Sequence, residues 1–155
     1  MAGKVKPIPD GYHTVTPYLI VNDGGRALDF YQRAFGAKEQ MRMPQPDGRI
    51  GHAEIQIGDS RIMLADEFPE MDARSPKSVG GSPVSIMLYV EDVDAVFKQA
   101  IAAGAREVRP VADQFYGDRL GSLEDPFGHK WHIATHKEDL SLDEIKKRAA
   151  AAKAG

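Results

Sequence analysis

The stretch Leu123-Glu-Asp-Pro-Phe-Gly-His-Lys-Trp-His-Ile-Ala-Thr-His136 joins a tight turn to an alternating strand. Pro126 fixes φ and Gly128 permits a positive φ, so Asp-Pro-Phe-Gly reads as a turn. Beyond it, successive strand side chains alternate, which puts Trp131 and Ile133 on one face and His132, Ala134 and His136 on the other. The first face is for packing, with Trp131 in the core. The second is free to bind.

Outward from this stretch, the chain repeats itself. Val84, Ile86, Leu88 and Val90 alternate with Ser85, Met87 and Tyr89; Glu91-Asp92 caps a helix striped by Val93, Val96, Phe97, Ala100 and Ile101; Gly104 ends it. The earlier copy opens with a strand over 14–21, in which Val15, Leu19 and Val21 alternate with Thr14, Thr16, Tyr18 and Ile20. Pro17 places that strand at or near an edge, or leaves one amide position unpaired. Asn22-Asp23 then caps a helix carrying Ala27, Phe30, Tyr31, Ala34 and Phe35, and Gly36 stops it. Strands follow near 38–43, 51–57 and 61–65, with turns at Pro44–Gly48 and Gly58-Asp59-Ser60. In the middle one, Ala53, Ile55 and Ile57 oppose His52, Glu54 and Gln56.

Asp23 and Asp92 lie 69 residues apart, Gly36 and Gly104 68, and Gly58 and Gly128 70. Such near-constant spacing argues for two tandem βαβββ modules, hence an α+β fold. The organisation expected is an arm at 1–13, modules at 14–66 and 84–136, a connection at 67–83 and a helical tail at 137–155. The connection is a linker or a lid, with Phe68 and Met71 as its apolar residues. Ser141-Leu-Asp-Glu144 is a capping box for the tail helix, which Leu142 and Ile145 would anchor.

Composition excludes several classes. Twenty Lys and Arg against 23 Asp and Glu, a net charge of −3, give no electrostatic footprint for nucleic acid. No run approaches the ~18 apolar residues of a membrane span, and Met1-Ala-Gly-Lys-Val-Lys-Pro7 lacks the apolar core of a signal peptide, so a cytoplasmic location is expected. Without cysteine there are no disulfides, thiolate catalysts or thiolate metal sites. The motifs of dinucleotide, P-loop, nucleophile-elbow and zinc-protease sites are absent from the sequence.

The tandem modules, each opening on a strand that ends Val-X-Asp, and the closing Asp-Pro-Phe-Gly-His-Lys-Trp resemble the vicinal oxygen chelate superfamily, over about residues 14–136. That superfamily contains glyoxalase I, bleomycin- and fosfomycin-resistance proteins and extradiol dioxygenases. Tyr12-His-Thr-Val-Thr-Pro-Tyr18 and Gln114-Phe-Tyr-Gly-Asp-Arg119 look most like its PhnB-like branch. The resemblance implies curved mixed sheets around a cleft, homodimerisation, and metal ligands, where present, on the first and last strand of each module. Carried over one at a time, those positions fall on Thr16, near Met63, on Ser85 and on His132. Only His132 is a credible ligand, and one ligand does not hold a divalent ion, so a metal-free protein is expected.

Candidate residues follow from the face opposite the core. His132 is a ligand-binding group or general base, or else a hydrogen-bonded strand histidine. His52 and Glu54 point into the same space and, with Gln56, form either a polar binding stripe or a solvated sheet face. Tyr18, Met87 and Tyr89 share the parity of Thr16 and Ser85 and offer an aromatic and apolar wall. Arg119 offers a guanidinium to an anionic substrate, or an internal ion pair. Two functions remain open: a binding protein that sequesters a small, partly aromatic or planar molecule without metal, and a lyase- or dioxygenase-type enzyme. The enzyme would use His132, His52 and Glu54 in acid–base work or recruit a divalent metal through them.

Overall fold

The computed structural model describes residues 3–154; the extreme ends of the expected arm and tail lie outside the described residues. The chain divides into two compact units, one through Gly81 and the other from Ser82 onward. In unit 1 the elements are β1 (Tyr18–Val21), α1 (Gly24–Phe35), β2 (Lys38–Pro44), β3 (Ile50–Ile57), β4 (Ser60–Asp66) and the short α2 (Pro76–Val79). In unit 2 they are β5 (Ser85–Tyr89), α3 (Val93–Ala103), β6 (Arg106–Asp113), β7 (Asp118–Glu124), β8 (Lys130–His136) and α4 (Leu142–Ala154). The sheets are ordered β1-β4-β3-β2 and β5-β8-β7-β6. In each, the first strand runs parallel to the last and the other pairs are antiparallel. Two mixed sheets of one βαβββ topology are thus present, with the C-terminal helix added to the second.

The helices form where capping chemistry dictates. Asp23 and Asp92 are the N-caps, their side chains accepting from the Arg26 and Ala95 amides. Gly36 closes α1 in the left-handed conformation, at φ 67°. The repeat extends to one further hydrogen bond. In unit 1 the buried Asp66, at the end of β4, accepts from the Gly24 amide at 2.8 Å. In unit 2 the Thr135 hydroxyl, 69 residues on, accepts from the Val93 amide at 2.9 Å. Each last strand therefore satisfies one of the orphan N–H groups of its own module's helix.

Each core lies between a helix and one face of its sheet. In unit 1 it joins Ala27, Phe30, Tyr31 and Ala34 to Leu19, Val21, Ala53, Ile55, Ile57, Ile62 and Leu64. In unit 2 Val93, Phe97 and Ala100 face Leu123, Trp131 and Ile133. Gly121 leaves the space that Phe97 fills, since a Cβ there would come within 2.8 Å of both Phe97 and Val111. Trp131 is core and His132 lies on the opposite face, as strand parity predicts.

Two expectations need correction, the start of the first strand and the part of Leu142 in anchoring the tail helix. The first strand begins at Tyr18 rather than at residue 14: Thr14–Thr16 are bends and coil, and Val15 is 82% exposed. Pro17, with no N–H, ends the ladder, although its carbonyl still accepts from the Met63 amide. The connection at 67–83 is structured by a 3-10 turn at Pro69–Met71 and by α2. Phe68 packs beneath the Arg49 guanidinium, 4.1 Å from ring centroid to Cζ, while Met71 stays exposed. Leu142 is likewise exposed, and ion pairs of Arg148 with Glu138 and Glu144 hold α4 together with the half-buried Ile145.

Candidate functional site

On unit 1's open face, the register sets Tyr18 beside Met63, Met63 beside Glu54, and Gln56 beside Arg61. Tyr18 Oη lies 2.8 Å from His52 Nδ1, and His52 Nε2 lies 2.8 Å from Glu54 Oε2. The other oxygen of Glu54 accepts from the Tyr12 hydroxyl. Sequence reasoning left Tyr12 in the arm. Here it anchors that arm to the sheet, its ring 5.4 Å from the Arg61 guanidinium. Gln56 turns aside, accepting from Arg61 Nε and donating to the Gly58 carbonyl. Burial pushes the half-exposed Tyr18 phenol above the usual range, so it is protonated at neutral pH.

On unit 2's open face, Met87 lies beside His132 and Ser85 beside Lys130. Ser122, directly across the β7–β8 ladder from His132, places its hydroxyl 2.6 Å from His132 Nδ1. His132 Nε2 carries no protein hydrogen bond among the described residues. With Ser85, Val108 and Ser122, His132 lines a half-open pocket of about 200 Å³. Ser122 was not foreseen, yet the Asp125–Gly128 turn contains the signal: it pairs Glu124 with Lys130 and so Ser122 with His132.

Further along this face, Tyr89 donates to Asp118 at 2.8 Å, an interaction that raises its pKa. Asp118 also contacts His136 Nδ1 at 2.8 Å, and Asp139 takes its Nε2. Asp118, then Asp139, lift the His136 pKa above its ordinary value. A base raised in the folded state adds stability that is fully present below its unfolded pKa and fades as pH rises through the folded one. Urea midpoints are therefore expected to fall as pH rises above the ordinary histidine range, and to stay flatter in His136→Gln. Parallel curves would remove His136 as the cause.

Two foreseen residues stand apart from these groups. Thr16 precedes β1 and lies off the sheet, its hydroxyl no closer than 3.5 Å to the His13 carbonyl. Arg119 shares its β7 face with Leu123, and so points to the helix side, away from His132. There it makes a two-pronged pair with Asp94 and a further one with Asp113, which hold its pKa above the ordinary guanidinium range. The donor set at the superfamily's ligand positions is two hydroxyls, one thioether and one imidazole. It does not fit a divalent ion. Among the described residues no three His, Cys, Asp or Glu side chains group to hold one.

The two mixed sheets of one repeated βαβββ topology define the fold class, and comparison with known sequences gives the family. The Glyoxalase/Bleomycin resistance protein/Dioxygenase superfamily matches residues 12–133, and the chain belongs to it. It is 44% identical over 135 residues to the uncharacterized protein Mb0911c of Mycobacterium bovis, covering 85% of this chain and 89% of that one. Among solved structures it is similar to TioX from Micromonospora sp. ML1, at 29% identity and TM-score 0.63, with 80% of this chain and 98% of that one covered. It is also similar to a gene product of Arabidopsis thaliana, at 28% identity and TM-score 0.65, with coverage of 79% and 98%. No helix among the described residues is long and apolar enough to cross a membrane.

Proposed function

We propose that this protein, a PhnB-like member of its superfamily, binds a small planar or aromatic organic molecule on its open sheet faces without a metal. The observation that carries this reading is the His132 pocket, where the imidazole is held by Ser122 and its Nε2 is left for a ligand. At about 200 Å³ the pocket is below the ~300–1,000 Å³ of a complete small-molecule site, so it takes part of a ligand while the exposed Met87 and Tyr89 extend the surface. Loss of one hydrogen bond to the ligand in His132→Ala is expected to weaken binding of planar aromatic fragments by up to about tenfold, and the buried Ser122 hydroxyl, deprived of its partner, to lower the melting temperature modestly without unfolding the protein at assay temperature. Ligand-observed NMR measures this, and fragment binding that ignores His132 would overturn the assignment. Elemental analysis of dialysed protein is expected to find no stoichiometric metal; tight zinc, nickel or manganese binding abolished by His132→Ala would refute the metal-free reading.

A second reading, an enzyme of lyase or dioxygenase type working by acid–base chemistry, is favoured by the bonded His52 and Glu54. In either case the working form we propose is a homodimer in the cytoplasm that engages neither nucleic acid nor membrane. Sedimentation at high micromolar concentration tests the assembly, and a monomer there would overturn it.

A further inference from the structure

The chain Tyr12–Glu54–His52–Tyr18 fixes the direction of its own protons. An ionised carboxylate only accepts, so the two Glu54 oxygens take protons from Tyr12 Oη and His52 Nε2. A neutral imidazole protonated at Nε2 has a lone pair at Nδ1, and Tyr18 must donate to it. The phenol has a single proton, and it is spent inward. The outward side of the half-exposed Tyr18 oxygen is therefore an acceptor, backed by a base that is itself oriented by a carboxylate.

We propose that Tyr18 Oη is a general base that takes a proton from a small molecule bearing a phenolic or enolic O–H, while its own proton passes to His52 Nδ1. This deepens the acid–base reading above and rests on it. The ligand's O–H bond breaks and a new one forms at Tyr18, as Tyr18's former O–H bond breaks and an N–H forms at His52. The products are the ligand anion and an imidazolium facing Glu54, and no electrons are exchanged. Concerted transfer avoids a free phenolate, which the partly buried site disfavours. Met63, beside Tyr18 in the ladder, supplies apolar contact, and Arg61 on the same face supplies positive charge for the anion.

The test uses the whole protein and 4-nitrophenol, at a pH where the free probe is mostly the colourless phenol. Wild type is expected to convert bound probe to the yellow phenolate. Tyr18→Phe and His52→Gln should bind it with a phenolate ratio lower by about tenfold or more, which corresponds to one pKa unit. A yellow band that survives in Tyr18→Phe but vanishes in His52→Gln overturns Tyr18 as the base and leaves the histidine reading standing. Bound probe that stays colourless in wild type overturns both. A probe that fails to bind at millimolar concentration overturns the proposed ligand class. Nitrogen-15 NMR of the ligand-free protein is expected to find His52 as the Nε2–H tautomer, and the other tautomer would overturn the relay whatever the probe does.

Discussion

Replacing Asp125 with alanine is expected to cost about 4 kcal/mol, a large part of the ~5–15 kcal/mol that stabilises an ordinary domain. The carboxylate is 2% exposed and accepts from the Phe127 amide at 2.9 Å, the His129 amide at 3.0 Å and Trp131 Nε1 at 3.0 Å. It thus ties the turn, whose Gly128 has a φ of 91°, to the largest side chain of unit 2's core. Alanine removes the shared acceptor of three hydrogen bonds, and a hydrogen bond to a charged group is worth about 1.5–3 kcal/mol. Asparagine keeps one oxygen for the backbone amides but sets an N–H against the Trp131 N–H, so Asp125→Asn should fall between. Trp131 is the one tryptophan, and its fluorescence reports the urea transition directly. A midpoint for Asp125→Ala equal to wild type would refute the account.

Asp66→Ala is expected to cost about 3 kcal/mol, and Thr135→Val about 1–2 kcal/mol, although the two residues occupy equivalent places in the repeat. Asp66 holds two buried amides, Gly24 at 2.8 Å and Ile50 at 2.6 Å, and its charge lies at the N-terminus of α1. Thr135 holds one amide and donates to the Val90 carbonyl at 2.9 Å. Each side chain makes two hydrogen bonds, and the difference is that both of Asp66's go to a charged acceptor. Hydrogen exchange should accelerate at Gly24 and Ile50 in the first variant and at Val93 in the second. Protection unchanged at those amides would mean that the helices are held by packing alone.

The fold was legible because local chemistry repeats: a helix cap and stop, and a turn glycine, recur at nearly constant spacing with the same alternation. Trp131 and His132 could be sorted because β8 begins with a clean alternation, Trp131 and Ile133 buried and His132 not. Arg119 could not, because Leu120, Gly121, Ser122 and Leu123 are all buried and parity carries no signal in β7. Only the register places its guanidinium on the helix side. Tyr12 escaped because its partner is 42 residues away and the prolines around it describe only an extended arm. Thr16 was set on a strand by an alternation that Pro17 interrupts.

The sheet orders also bear on how readily each sheet could be extended by a further strand. Four strands lie at edges, β1, β2, β5 and β6, and each carries a proline within it or close before it: Pro17, Pro44, Pro83 and Pro110. The central strands β3, β4, β7 and β8 have none. Pro110 sits where the β6–β7 register slips, between Arg109 and Ala112. A proline offers no N–H to an incoming strand, so a fifth strand meets an interrupted ladder along β2 and β6 and finds a donor missing just before β1 and β5. Edge-to-edge extension of the sheet is thereby discouraged in both units.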